Sequence, residues 1–264
     1  MKVLIKLGGT LLDNAESRAR LAAQIAAAQS AGAEAVVVHG GGKQMTRYLA
    51  ERGIESRFVN GLRVTTPETV DALLKVFAGT VNHELVASLG SAGCRAVGLS
   101  GIDAFLAQAE QMDPALGAVG RIVASDPALL LLLTANGYLP VVACVAGDRA
   151  GHIYNVNADQ MAVACAVAYG ARRLIFLTDV DGVRDASGRV RPLLTAAECE
   201  RLIAEGVATG GMQAKLQAAV AALRGGVEQV MVAPGAAPNA LATEGIGTQI
   251  VRVGVGHVRP LRPA

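Results

Sequence analysis

"AVVVHGGGKQM", residues 35–45, joins a valine run to three glycines and a lysine. The apolar run reads as a buried strand, the glycines as a tight turn, and Lys43 as the start of a helix. A helix that begins beyond such a turn offers unpaired backbone amides to an anion. Neither common phosphate-binding signature is present. A Walker A loop needs Gly-x-x-x-x-Gly-Lys followed by Ser or Thr, whereas Gln44 follows Lys43 and Val37 stands five places before Gly42. The Gly-x-Gly-x-x-Gly pattern of dinucleotide-binding folds is absent as well.

Upstream, "KVLIKLGG" (residues 2–9) reads as a second short strand that ends in glycines. Leu21, Ile25 and Ala28 at helical spacing predict a helix from about Glu16 to Ser30, closed by Gly32. The unit is β-α-β, so its strands should be parallel with a right-handed crossover. Gly8-Gly9 and Gly40-Gly41-Gly42 then leave the same edge of the sheet, where open α/β sheets bind ligands.

The remaining chain repeats this alternation. Thr66 and Pro67 predict the N-cap and first turn of a long helix reaching about Leu89. Its stripe (Val70, Leu73, Leu74, Phe77, Val81, Leu85) leaves Val76 and Val86 to one side, which predicts a helix buried twice. "RAVGLSG", "YLPVVACVA", "RRLIFLTDVDGV" and "QVMVA" read as further strands, and Ala104–Ala124 as a hairpin or flap. "HIYNV" reads as a loop entering a helix that stops at Gly170, and Thr195–Glu198 as a capping box. The expected fold is α/β: a three-layer αβα sandwich around one mainly parallel sheet. Two lobes share that sheet, residues 1–170 and 171–264.

Composition narrows the function. The chain of 264 residues is 52% apolar and 3% aromatic, with a net charge of +2, which argues against nucleic acid as a partner. "ALLLLLTANGYLPVVACV" is broken by Asn136, Gly137 and Pro140, so no membrane span is expected. Cys94, Cys144, Cys165 and Cys199 form no C-x-x-C pair and read as reduced structural thiols, which suits the cytoplasm. Scattered histidines make a zinc site unexpected. His39 reads as a satisfied strand-end histidine rather than a base.

Several charged residues stand where burial or a helix start makes them conspicuous. Lys6, in an apolar strand beside Gly8-Gly9, either snorkels from an edge strand or meets an anion. Lys215, read as lying in the first turn after "TGGM", is either solvated or paired with an anion there. Asp159 is either a helix-start carboxylate or an anchor for lysines. Asn155 and Asn157 are turn and cap residues or ligand-facing amides. Arg63 is a surface arginine or a bidentate carboxylate binder.

The order of these pieces is more specific than any one of them. "KLGG", "VVHGGGKQM", "NGLRVT", "FAGTVNHELV", "GLSG", "NGYLPVV", "NVNADQMA", "LTDVDGV" and "TGGMQAKLQAAVAAL" follow one another in a way that resembles the amino-acid kinase family, from Met1 to about Val251. "NGLRVT" and "NVNADQ" are its most specific parts. They resemble the members that phosphorylate the γ-carboxylate of N-acetyl-L-glutamate in arginine biosynthesis.

The resemblance implies roles. Gly8, Gly9, Gly41 and Gly42 would grip the phosphoryl group in transit, and Gly41 and Gly42 would also meet the acyl substrate. Lys6 and Lys215 would stabilise the transferring group, with Asp159 organising both. Arg63, Asn155 and Asn157 would hold the substrate. Asp179, Val180, Asp181, Gly182, Val183 and Arg184, with Val207, Ala208 and Thr209, would line the ATP site. Mg2+ would arrive with ATP, since no dedicated ligand set is visible.

A carboxylate nucleophile is already ionised near neutral pH and needs no general base. After "GLSG" the family continues with a lysine, an aspartate and glycines. Here "IDAFLA" keeps only Asp103. A relative acting on carrier-bound 2-aminoadipate and a non-catalytic sensor are the competing readings. Arginine-inhibited members carry an extra N-terminal helix that interlaces dimers into hexamers. Only five residues precede Lys6, so a homodimer joined through the helix from Pro67 to Leu89, without arginine feedback, is expected.

Overall fold

The computed structural model describes residues 1–241 and 246–252. The basic tail "GHVRPLRPA", residues 256–264, lies outside them. β1 (Lys2–Leu7), α1 (Ala15–Ser30) and β2 (Glu34–His39) form the expected β-α-β unit, with Leu7 opposite His39 in a parallel pair. α2 (Gly42–Ala50) follows the glycine turn. β3 (Phe58–Val59) and β4 (Leu62–Arg63) make a small hairpin.

A long helical path then runs through α3 (Pro67–Leu73), a π-helical stretch (Leu74–Val81) and α4 (Asn82–Ser91). Thr66 caps it through a bond from the Thr69 amide, as its sequence predicts. The π turn was not expected, and it corrects one inference. Extra residues per turn rotate the apolar stripe, so Val76, which helical spacing put to one side, is buried in the same core as Phe77 and Val81.

β5 (Ala96–Ser100), β6 (Ala107–Gln111), β7 (Val119–Ser125), α5 (Ala128–Ala135), β8 (Leu139–Ala143), β9 (Val145–Gly147), β10 (Ile153–Val156) and α6 (Ala158–Tyr169) complete the first part. β6 and β7 are the expected hairpin. They close with β9 and β10 into a four-stranded barrel that the sequence did not announce. "HIYNV", read as a loop, is therefore largely strand, and "YLPVVACVA" is two strands rather than one. Gly170 ends α6 in the left-handed region at φ 71°.

β11 (Arg173–Thr178), β12 (Leu193–Thr195), α7 (Ala196–Ala204), α8 (Gly210–Arg224), β13 (Gln229–Pro234) and β14 (Thr248–Val251) finish the described chain. The capping box at Thr195 and Glu198 is present. The eight-stranded sheet runs β12-β14-β13-β11-β1-β2-β8-β5, unbroken across Gly170. Six strands are parallel. β14 runs antiparallel to β13 and takes β12 with it at one edge.

Ala, Val, Leu and Ile fill both faces of this sheet, as an aromatic-poor chain requires. The parallel strands bring Gly8, Gly40 and Asp179 out at one edge, because Leu7 pairs with both His39 and Leu177.

Candidate active site

β1 is central, between β11 and β2, so Lys6 cannot snorkel to solvent from a sheet edge. Its ammonium is buried and lies 2.7 Å from Asp159 Oδ1. Lys215 reaches the other oxygen of the same carboxylate, Nζ to Oδ2 at 3.5 Å. Asp159 stands in the first turn of α6, which packs on both β1 and α8. The carboxylate is thus fixed by the fold and the lysines converge on it. Burial opposes its charged form. Lys6 and then Lys215 outweigh burial and hold the Asp159 carboxyl below its usual range. Lys215 is the sixth residue of α8, in the second turn and not the first, so the helix dipole penalises its charge less than expected.

The two glycine turns touch. A Cβ on Gly9 would come to 3.4 Å from the Gly42 nitrogen and 4.0 Å from that of Gly41. A Cβ on Gly41 would meet the Phe77 ring at 2.9 Å, so the π stretch packs on the turn's bare α-carbon. The Gly41 and Gly42 amides meet no protein acceptor among the described residues. Lys43 is not part of this arrangement. It is exposed and lies 3.7 Å from Asp13.

Arg63 is buried, and its guanidinium donates to the Gly42 carbonyl (3.1 Å), Thr46 Oγ1 (2.8 Å) and the Ser56 hydroxyl, with Phe58 stacked at 4.6 Å. Burial lowers its pKa. No carboxylate of the chain pairs with it among the described residues. Thr65 Oγ1 donates to the Arg63 carbonyl (2.8 Å) and accepts from Asn155 Nδ2 (3.1 Å), so Asn155 is linked to Arg63. Asn157 caps α6, accepting from the Asp159 and Gln160 amides at 2.9 and 3.2 Å. Its carbonyl oxygen is therefore committed to the helix.

The residues assigned to ATP are more dispersed. The Gly8 amide donates to the Leu177 carbonyl at 2.9 Å, which places the end of β11 and Asp179 beside the first glycine turn. Asp179, Val180, Asp181 and Arg184 are exposed, whereas Gly182 and Val183 are buried. The Val183 amide is tied to Thr248 Oγ1 at 2.8 Å. Val207, Ala208 and Thr209 link α7 to α8.

A cleft of about 1070 Å³ opens between α6 and α8 on one side and the β3–β4 turn with β7 on the other. Asn157, Asp159 and Lys215 line it. Lys6, Arg63, Asn155, both glycine turns and Asp179–Arg184 do not. Gln44, whose amide donates to the Gly9 carbonyl at 3.3 Å, and Ser56 and Thr46 beside Arg63, were not foreseen. Their sequence neighbourhoods carry no signal for these contacts.

A parallel sheet with a carboxylate-organised lysine pair, glycine amides at the same edge and a buried arginine that meets no carboxylate among the described residues defines a site for handling anions. The model of the amino acid kinase family matches residues 1–234, and the chain belongs to that family. Among curated relatives, the acetylglutamate kinase of Solibacter usitatus is 74% identical over 255 residues, covering 95% of this chain and 99% of its own. That of Acidobacterium capsulatum is 46% identical over 243 residues, covering 91% and 94%.

Among solved structures, the N-acetylglutamate synthase of Neisseria gonorrhoeae, complexed with coenzyme A and N-acetyl-glutamate, superposes with a TM-score of 0.86 at 28% identity. The match covers 96% of this chain and 60% of that one. A carbamate kinase from Giardia lamblia bound to AMP-PNP matches at 0.72 and 16% identity, covering 96% and 98%, which shows the shared fold.

Proposed function

We infer that the chain is an ATP-dependent kinase that phosphorylates the γ-carboxylate of N-acetyl-L-glutamate, giving N-acetylglutamyl 5-phosphate and ADP in arginine biosynthesis. The observation that carries this is Asp159 held between Lys6 and Lys215 beside paired glycine turns. The acceptor carboxylate is ionised at neutral pH, so the difficulty is to bring two anions together in line. Lys6 and Lys215 oppose charge on the transferring group, and the Gly9, Gly41 and Gly42 amides orient it. Arg63, with Asn155 alongside, receives the substrate's α-carboxylate and acetamido group.

Asp179–Arg184 and Val207–Thr209 hold the nucleotide, which gives residues 1–170 the acyl substrate and 171–264 the ATP. Mg2+ comes as the ATP complex and neutralises phosphate charge. Among the described residues no three His, Cys, Asp or Glu side chains are grouped to hold it apart from the nucleotide.

The chain acts as a homodimer. Half-buried Leu74, Ala78 and Val86 lie on the long helix, whose π stretch and α4 pack against β5, a strand at one edge of the sheet, and edges of this kind are commonly covered. Free, mostly buried cysteines suit a reducing cytoplasm. No helix among the described residues is long and apolar enough to cross a membrane.

ADP release with ATP and Mg2+ tests the reading across N-acetyl-L-glutamate, glutamate, aspartate and carrier-bound 2-aminoadipate. N-acetyl-L-glutamate should be the acceptor used. Release with another acceptor instead overturns the substrate, and release with none overturns the activity.

A further inference from the structure

His39 and Asn82 are fully buried, far apart in sequence, and part of no step above. Asn82 Nδ2 lies 2.9 Å from the Val141 carbonyl oxygen and 2.9 Å from His39 Nε2. Val141 O can only accept, so the amide nitrogen of Asn82 faces it and its second hydrogen points to His39. Nε2 must then be the bare nitrogen, and the ring proton sits on Nδ1. Nδ1 lies 2.7 Å from the Gly40 carbonyl and donates to it. Burial pushes the His39 pKa down to about 4, so the ring is neutral where this relay is needed.

The relay has a direction and an end point. The Gly40–Gly41 peptide is trans, as is every peptide bond described. In a trans peptide the C=O and the following N–H point opposite ways. Drawing the Gly40 oxygen toward His39 therefore turns the Gly41 N–H away from His39, and a Cβ on Gly9 would stand 4.0 Å from that Gly41 nitrogen. Asn82 is itself locked. Its Oδ1 occupies the space a Cβ on Gly98 would need, at 2.0 Å, so only glycine fits there.

Resting on the phosphoryl-transfer reading, we propose that His39 and Asn82 are positioning residues. They aim the Gly41 amide at the transferring phosphoryl group through the Gly40 carbonyl. They touch no reactant themselves.

The test compares His39→Leu with His39→Asn, whose amide can donate from near the place of Nδ1. His39→Leu should lower kcat by about 10–100-fold, less than loss of a whole donor, with both KM values within about threefold. His39→Asn should regain most of that kcat even where its thermal midpoint stays depressed. A kcat that follows the thermal midpoint in both variants, or that is unchanged in His39→Leu, overturns the proposal.

Should His39→Leu fail to fold, the 15N spectrum of the wild-type ring decides. The proton must be on Nδ1 at neutral pH, and a proton on Nε2 overturns the relay. If the wild type itself transfers no phosphoryl group to N-acetyl-L-glutamate, the functional reading fails while the tautomer measurement still judges the relay.

Discussion

The turns after β1 and β2 and the acidic turn after β11 leave the same edge of the sheet, yet they are held by different forces. Around the glycines the partners are buried: Lys6, Asp159 and Arg63 are largely removed from water. Around Asp179–Arg184 the charges pair locally at the surface, Arg184 with Asp181 at 3.3 Å, with side chains 59% and 71% exposed. Only Gly182 and Val183 anchor that turn inward. Charges that must oppose charge developing during transfer are useful only if they are already in place and shielded from solvent. A turn proposed to admit and release a nucleotide would need no such fixation.

The contrast is broken most severely by removing the clamp. Lys6→Ala or Lys215→Ala should lower kcat by roughly 10³-fold with the fold intact by circular dichroism. Near-normal turnover in either folded variant would remove that lysine from the mechanism.

Asp159→Ala acts on stability as well as rate, because it leaves two largely buried ammonium groups without their partner. A loss of about 3–5 kcal/mol in denaturant unfolding is expected. In the wild type this contribution is present above the ordinary carboxylate pKa of roughly 4 and is lost as pH falls through the lowered native value. Acid unfolding should therefore be less steep in Asp159→Ala. An equally steep transition would mean that Asp159 is not the linked group.

Arg63→Ala should raise KM for N-acetyl-L-glutamate by roughly 30-fold, about 2 kcal/mol, and leave KM for ATP nearly unchanged. A change confined to ATP would reassign this arginine. At the exposed turn the effects shrink. Asp181→Ala should alter stability by less than about 0.5 kcal/mol, since its ion pair is solvated. A larger loss would mean that the acidic turn is structural, and would erase the contrast.

The glycine edge was legible because it is local: valines, glycines and a helix start follow one another in a few residues. The π turn was not, since Leu74–Val81 has the composition of an α-helix and only its hydrogen bonding differs. The small barrel was missed for another reason. β9 and β10 are three and four residues long, and their pairing with β6 and β7 is long-range.

"IDAFLA" is instructive in the same way. Ala104 and Phe105 keep left-handed backbones at φ 51° and 55°, the conformation glycines would favour, although the glycines are gone. Asp103 still accepts from the Ser100 amide and hydroxyl. At the site, resemblance and not spacing joined Asp159 to Lys6 and Lys215, since 153 and 56 residues separate them along the chain. Charge pairing across that distance has no sequence period.

The central claim is that fixed charge, without a proton-transferring base, performs the transfer. The pH dependence of kcat with saturating ATP, Mg2+ and N-acetyl-L-glutamate tests it most directly. The substrate carboxylate is ionised above roughly pH 5, and no side chain of the site is asked to give or take a proton. The account predicts a kcat that is level from about pH 6 to about pH 9. An ascending limb centred between about pH 6 and about pH 8, the signature of an essential base, would contradict it.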